Sequence, residues 1–369
     1  MSTTLYLDVP TIGITGSFGK TTTKEITAAL LSVKYDIFKS KRNYNTVRST
    51  RRHVKKITDE HEAVVMEMTM GNKETGKNQC TLIQPNIGVI TSVGHAHFEN
   101  FTSIHETVLS KSEMMKYMKP DGTLYLNDDD EYSQLINTKY FTGNIIKCGI
   151  TESADYRATD IKFNNGGMEF HVKLNGVDEY MFLPILGEHN VVNALFGIAI
   201  ADKLGLTPNE IRQGLSTVKV QRGRLTLDEL EGKRSLLDDS GNANPAAMIA
   251  GLKVLNTYLD SPKKIALLGD MAELGSYTRE GHEKVGKALI DLDLDKVYLY
   301  GESSRYIMQK AKDTGFDEDR LFHYTDMDAL IEELITNFEE NTALMLKASK
   351  STNFKKVVKR LLAEYERVK

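Results

Sequence analysis

The segment Thr15-Gly-Ser-Phe-Gly-Lys-Thr-Thr-Thr23 constrains this chain more than any other. An apolar run of strand type, Thr11–Thr15, leads into it, and a long helical pattern starts at Lys20. A glycine-rich turn between a strand and a helix is the setting in which backbone N–H groups converge on an anion. The helix N-terminus adds a partial positive charge at the same place. Gly16 and Gly19 supply the turn, with Ser17 between them. Lys20 is long enough to reach terminal phosphates, and Thr21 places a hydroxyl where a nucleotide-bound Mg2+ needs a ligand. Ile14 stands where the common phosphate-loop pattern has its first glycine, so the core is Gly-x-x-Gly-Lys-Thr. The alternative is a tight strand-to-helix turn without a ligand. The flanking elements and three consecutive threonines favour nucleotide binding.

The remaining pattern predicts an α/β protein. Apolar runs of strand length at Ala63–Met68, Ile87–Thr91 and Thr123–Leu126 alternate with helical stretches, one over Ile104–Met118. This rhythm predicts a mostly parallel sheet covered on both faces. Residues 155–186 read differently, because Asn164-Asn165-Gly166-Gly167 and Asn175-Gly176 are hairpin turns. They predict a small antiparallel subsheet. A helix follows over Asn190–Leu204, and Thr207-Pro208 has the form of an N-cap and first helical residue. From Thr226 the strand–helix rhythm restarts, with strands at Ser235–Asp238, Ile265–Leu268, Val297–Tyr300 and Ala343–Leu346. The break falls at Gln221-Arg-Gly-Arg224, which divides the 369 residues into 1–224 and 225–369.

Bulk properties exclude several classes. A net charge of −4 gives no reason to expect nucleic acid or an anionic membrane as partner. Two cysteines, Cys80 and Cys148, cannot build a disulfide framework or a thiolate zinc site and read as free thiols. No basic stretch followed by an apolar run opens the chain, and no segment has the length of a membrane span, so the cytoplasm is the expected compartment.

Other positions carry chemistry less specifically. Glu67 ends an apolar strand and is placed to hold Mg2+ beside the phosphate loop, although many strands end in an acid. His95 and His97 follow the next strand. Lys111 reads on its own as a surface lysine, and Asn190 as a helix cap. Asn190 and Asn193, three apart, share a helix face from which both can bond an adenine edge. Arg48, Arg51 and Arg52 suit either an anionic substrate or a solvated basic helix.

Gly13-Ile-Thr-Gly-Ser-Phe-Gly-Lys-Thr-Thr-Thr-Lys-Glu25 resembles the ATP loop of the Mur ligase family, and of its MurF branch in particular. Thr91-Ser-Val-Gly-His-Ala-His-Phe-Glu-Asn-Phe101 is similar to the branch's stretch ending Ala-His-Leu-Glu-Gly-Phe, and Leu126-Asn-Asp-Asp-Asp130 to its Leu-Asn-x-Asp-Asp. Further on, Gly187-Glu-His-Asn-Val-Val-Asn-Ala194 and Asp238-Asp-Ser-Gly-Asn-Ala-Asn-Pro245 match family elements, with Gly241 in place of a tyrosine. The run Leu268-Gly-Asp-Met-Ala-Glu-Leu-Gly275, with His282 and Gly286, is similar to a MurF signature. Leu346-Lys-Ala-Ser-Lys350 keeps Lys347 and Ser349 of the branch's Leu-Lys-Gly-Ser-Arg, and Lys350 loses the arginine's bidentate grip. The loop from Lys41 to Arg48 keeps only Asn43 and Asn45 of the branch's pattern.

The resemblance implies an ADP-forming ligase that uses ATP and Mg2+ to join a carboxylate to an amine through an acyl phosphate. It makes 1–224 the ATP-binding domain and 225–369 a Rossmann-like domain. Lys20, Glu67, His97 and Lys111 become the catalytic set. Thr21, Glu67, His97 and a carbamylated Lys111 hold the metals. Gly16, Ser17, Gly19, Lys20, Thr21, Thr22, Asn190, Asn193, Arg224 and Asp239 bind the nucleotide. Asn43, Asn45, Arg48, Asn242, Lys347 and Ser349 fall on the substrate side. The branch's N-terminal nucleotide-sugar domain has no counterpart before the loop, which implies either a partner protein that replaces it or a carboxylate other than the branch's peptidoglycan precursor. Four readings stay open: dipeptide addition to that precursor, ligation in a specialised pathway, a non-catalytic nucleotide-binding subunit, and a plain ATPase or kinase.

Overall fold

The computed structural model of this chain describes all residues except 1–4, 6, 95–100, 102, 165, 220, 260 and 369. The chain forms two compact units, and the main passage from the first to the second falls between Lys219 and Val220.

The first unit runs β1 (Thr11–Thr15), α1 (Lys20–Leu31), β2 (Ile37–Lys39), α2 (Val47–Val54), β3 (Ala63–Glu67), α3 (Lys73–Leu82), β4 (Ile87–Ile90), α4 (Ile104–Tyr117) and β5 (Thr123–Asn127). It continues with β6 (Asn144–Gly149), β7 (Tyr156–Asn164), β8 (Gly167–Leu174), β9 (Val177–Leu183), α5 (Glu188–Lys203) and α6 (Pro208–Ser216). One sheet takes the order β2-β3-β1-β4-β5-β6-β7-β8-β9. The pairings from β2 to β7 are parallel, whereas β7, β8 and β9 form an antiparallel meander turned at Gly166 and Gly176. Both glycines have positive φ, as hairpin turns require. Strands β1, β3 and β4 are buried along their whole length, the expected state of parallel strands covered on both faces. Thr207 closes a capping box with Glu210 at the start of α6.

The order of the strands decides where a ligand can sit. From β1 the chain crosses to β2 and β3 on one side, then returns to β4 and β5 on the other. The carboxyl end of β1 is therefore a topological switch point, where open α/β sheets leave a crevice. The turns after β1, β3, β4 and β5 share that end.

The second unit runs β10 (Thr226–Leu230), β11 (Arg234–Asp239), α7 (Pro245–Tyr258), β12 (Lys263–Gly269), α8 (Thr278–Ala288), β13 (Lys296–Tyr300) and α9 (Arg305–Asp313). Strand β14 (Leu321–Tyr324), α10 (Met327–Asn337), β15 (Thr342–Lys347) and α11 (Lys355–Glu364) complete it. Its sheet has the order β10-β11-β15-β12-β13-β14, with β10 antiparallel to β11 and the rest parallel. Asn244 caps α7 ahead of Pro245. Leu236, Leu267, Leu344 and Leu346 lie against Phe338, Phe354, Val357 and Leu361 in one core. Strand β15 inserts between β11 and β12, so Asp239 and Lys347 end adjacent strands in register.

Candidate active site

The phosphate loop is shaped by two glycines and strapped to the end of β4. Gly16 and Gly19 both have positive φ, and Gly19 is the left-handed residue that opens α1. A side chain at either position would also meet close neighbours. A Cβ on Gly16 would lie 2.1 Å from Thr91 Oγ1, and one on Gly19 would lie 2.5 Å from Asn193 Oδ1. The Ser17 amide donates to the Ser92 carbonyl at 2.9 Å, and the Phe18 amide to Ser92 Oγ at 2.9 Å. Ser17 Oγ both donates to the Gly94 carbonyl and accepts from the Gly94 amide. Thr91 Oγ1 and Ser92 Oγ donate to the Phe18 carbonyl. The 91–94 segment thus fixes the loop, a role the sequence reading did not give it. Lys20 folds over the loop and donates to the Gly16 carbonyl at 2.6 Å and the Ser17 carbonyl at 3.2 Å. Thr22 lies in the first turn of α1.

Glu67 gathers its neighbours from three segments. It lies opposite Ile14 in the β1–β3 register, and its carboxylate accepts from Thr21 Oγ1 at 2.9 Å and from Asn45 Nδ2 at 2.8 Å. Ser40 Oγ accepts from its amide at 2.9 Å. The fully buried Lys24 ammonium stands 3.7 Å from Glu67 Oε2 and 3.0 Å from Glu25 Oε1, and donates to the Arg42 carbonyl. Lys24 was missed in the sequence, although a signal existed: it follows Thr21 by three residues and so shares its helix face. Gln79, wholly buried, accepts from the Thr69 amide and donates to the Asn45 carbonyl and to Thr50.

Lys111 is not the surface residue its context suggested in isolation. It is 2 % exposed on α4, with its ammonium 3.0 Å from the Met70 carbonyl. Burial pushes its pKa down to about 7, and the Lys20 cation adds to the effect. A neutral amine at that position is the form that reacts with CO2. Ser110 Oγ also donates to the Met70 carbonyl. His97, with His95, lies outside the described residues. Among the described residues no group of three His, Cys, Asp or Glu side chains could hold a metal by itself. Mg2+ needs no such cage. It is commonly held by one or two carboxylates together with substrate phosphates and water, and the buried hydroxyl–carboxylate pair of Thr21 and Glu67 fits that donor set.

Asp130 accepts from the Val93 amide and from Ser133 Oγ, and burial raises its pKa. Asn190 lies inside α5 rather than at its cap. Asn193 donates to Asn190 Oδ1 at 3.0 Å and accepts from Thr23 Oγ1 at 3.2 Å, so the pair is joined to the second turn of α1. Asn43 and Arg48 are exposed. Cys80 and Cys148 are buried free thiols; burial pushes the first up to about 12 and the second well above its usual range.

In the second unit, Asp239 accepts from the Leu225 amide at 3.2 Å and from the buried Lys347 ammonium, which also donates to the Asn242 carbonyl at 3.2 Å. Arg224 is half-buried beside Gly241, whose amide donates to the Gly223 carbonyl at 2.8 Å. A Cβ on Gly241 would lie 2.5 Å from that carbonyl, so glycine there permits the contact. The run at 268–275 is held by His282 and Ser349. The Met271 amide donates to His282 Nε2 at 3.1 Å, His282 Nδ1 is 2.6 Å from the Thr278 carbonyl, and the Ala272 amide donates to Ser349 Oγ at 2.7 Å. Burial lowers the His282 pKa, which suits a neutral ring that donates at Nδ1 and accepts at Nε2.

Two family models match the chain: the Mur ligase middle domain over residues 14–201, and the Mur ligase glutamate ligase domain over residues 223–350. The chain belongs to the Mur ligase family. Within it, the chain is 32% identical over 356 residues to the UDP-N-acetylmuramoyl-tripeptide–D-alanyl-D-alanine ligase of Bacillus subtilis, covering 95% of this chain and 75% of that one. Among solved structures it resembles MurF from Acinetobacter baumannii, with a TM-score of 0.87 at 25% identity over 96% of this chain and 77% of the other. It also resembles MurF from Thermotoga maritima in complex with ADP, with a TM-score of 0.84 at 25% identity over 96% and 80%.

Proposed function

We propose that this chain is an ATP-dependent, ADP-forming ligase that joins D-alanyl-D-alanine to a peptidoglycan precursor carboxylate. The observation that carries the reading is the meeting of Thr21 and Glu67 beside a loop whose glycines leave little room for a side chain. The names of the relatives at 75–80% coverage of their own length give the reaction and the substrates.

In this reading residues 1–224 are the ATP-binding domain and residues 225–369 are the Rossmann-like domain. The loop amides and α1 bind the ATP phosphates, and Lys20 offsets charge that develops on the terminal group. Thr21, Glu67, His97 and carbamylated Lys111 would hold Mg2+, which when bound supplies Lewis-acid neutralisation of the phosphate oxygens. A carboxylate oxygen of the precursor attacks the γ-phosphorus, the bond to the β,γ-bridging oxygen breaks, and ADP leaves. The amine nitrogen of the dipeptide then attacks the acyl phosphate carbon, loses a proton, and inorganic phosphate leaves. Asn190, Asn193, Arg224 and Asp239 would bind the nucleotide. Asn43, Asn45 and Arg48 serve the carboxylate substrate, and Asn242, Lys347 and Ser349 the amine. Lys347 and Asp239 form a buried ion pair. Among the described residues no helix is long and apolar enough to cross a membrane.

Mass spectrometry of the full chain with MgATP, UDP-N-acetylmuramoyl-tripeptide and D-alanyl-D-alanine tests the proposal. The expected product is the precursor extended by the dipeptide, with one ADP and one phosphate per amide. No product from a chain that binds MgATP would overturn the substrate assignment, and ADP release without any amine would overturn ligation.

A further inference from the structure

Residues 41–56 hold seven cations, Lys41, Arg42, Arg48, Arg51, Arg52, Lys55 and Lys56, and no acid, in a chain whose net charge is −4. All seven are exposed. Among the described residues none has a carboxylate within ion-pair distance; the nearby ion pairs join Lys24 and Lys39 to Glu25 and Glu67.

Four of them form a stripe. Arg48, Arg51 and Arg52 of α2, with Lys55 at its C-cap, are spaced i, i+3, i+4 and i+7 and so project from one face of that helix. The opposite face is fixed. Thr50 and His53 are buried, Thr50 Oγ1 accepts from Gln79, and His53 Nε2 accepts from the Lys41 amide at 3.3 Å. The stripe therefore cannot turn away. Like charges at these spacings destabilise a helix, and Arg48 sits in the first turn, where the helix dipole also disfavours a cation. Ordinary solvated helices mix signs along the exposed face. The dipole at the end of α2 favours Arg51 and Arg52 in part, but no carboxylate among the described residues neutralises the stripe, which leaves its exposed face open to a bound anion.

Its position says which one. Asn45, three residues before Arg48, donates to Glu67, and the Arg42 carbonyl is held by Lys24. The stripe starts three residues after Asn45, which bonds the Glu67 carboxylate, and extends along the roughly 12 Å of an eight-residue helix. We propose that this face of α2 binds a multiply charged anionic group of the carboxylate substrate, remote from its reacting end. The proposal rests on the ligase reading for where the reacting carboxylate lies. The bound anion supplies binding energy away from the chemistry, which a ligase can use to hold the reacting carboxylate in place.

The test is a titration of inorganic pyrophosphate onto the full chain. The phosphate loop is kept filled with saturating MgADP, and its occupancy is followed with a fluorescent ADP analogue. The wild-type chain is expected to bind one equivalent, more weakly as salt rises. The triple variant Arg48→Gln, Arg51→Gln, Arg52→Gln is expected to bind at least ten-fold more weakly, with helical content and MgADP affinity unchanged. Failure of the wild-type chain to bind, or equal binding by both proteins, overturns the proposal, whether or not the chain makes the dipeptide product. Competition then identifies the source. Displacement by UDP-N-acetylmuramoyl-tripeptide assigns the anion to a diphosphate, and displacement by an oligoglutamate assigns it to clustered carboxylates. Displacement by neither overturns the assignment to the substrate.

Discussion

The Thr21 hydroxyl donates to Glu67 Oε2 at 2.9 Å across 46 residues of sequence. The parallel register of β1 and β3 sets Glu67 opposite Ile14, one loop before Thr21, so the sheet itself brings the two oxygens together. Replacement Glu67→Gln keeps the size and one acceptor but removes the charge. It is expected to weaken MgADP binding by at least ~10-fold while leaving metal-free ADP binding unchanged. Calorimetry with and without Mg2+ reads the difference, and equal losses under both conditions would refute a metal role for Glu67.

Lys24 is the second position where one change separates structure from chemistry. Its ammonium is wholly buried between Glu67, Glu25 and the Arg42 carbonyl. Lys24→Met would leave two carboxylates without their shared cation and free the loop that carries Asn43 and Asn45. We expect a loss of about 3 kcal/mol in unfolding free energy, the scale of breaking a buried pair, and faster proteolysis within 41–46. Unfolding titrations and limited digestion measure both. A variant as stable as the wild type would show that Lys24 does not hold this loop.

The sequence made some of this legible and hid the rest for physical reasons. The strands of the parallel core were readable because burial on both faces leaves continuous apolar runs, as in Val64-Val65-Met66. The hairpins were readable because Gly166 and Gly176 stand where positive φ is needed. Strands β2 and β6 were not readable. The first has three residues, and the second is exposed over most of its length. In β10 an antiparallel edge strand is only partly buried. At the site, the loop and Glu67 were visible because adjacent residues or a strand end carry the signal. The Glu67 network was not, because Ser40, Asn45 and Lys24 reach it only through folding. His282 could be read as part of a motif, but not as the acceptor for the Met271 amide.

Lys111 offers a covalent test. Its amine is buried, lies 3.0 Å from the Met70 carbonyl, and titrates near 7 because burial and Lys20 disfavour its cation. If carbamylation supplies a metal-binding carboxylate, Lys111→Ala should lose turnover by on the order of 100-fold or more. Added formate or acetate should restore part of it. The wild-type protein incubated with labelled bicarbonate should carry one labelled carboxyl, lost in the variant. Absence of both label and rescue would leave Lys111 a purely structural lysine.

The pH dependence of stability follows from His282. Burial lowers its pKa below the ordinary 6.5, against the opposing effects of its bond to the Thr278 carbonyl and the Asp270 charge. Between the folded value and 6.5 the unfolded chain binds more protons than the folded one, so unfolding free energy rises with pH there. The stabilising neutral form is fully present above 6.5. It is lost as pH falls through the folded value, because a proton on Nε2 removes the acceptor of the Met271 amide. His53 has the same sign, from burial and from Lys56 and Lys24, so the wild-type slope contains both residues. The informative comparison is with His282→Gln. Denaturant titrations from pH 7 to about pH 5, above the range where most carboxylates titrate, should show a shallower slope for the variant and a smaller gap between the two proteins at the acid end. A gap independent of pH would mean that His282 is not neutral in the folded protein, and that the 268–275 run is held without the bond from Met271 to its ring.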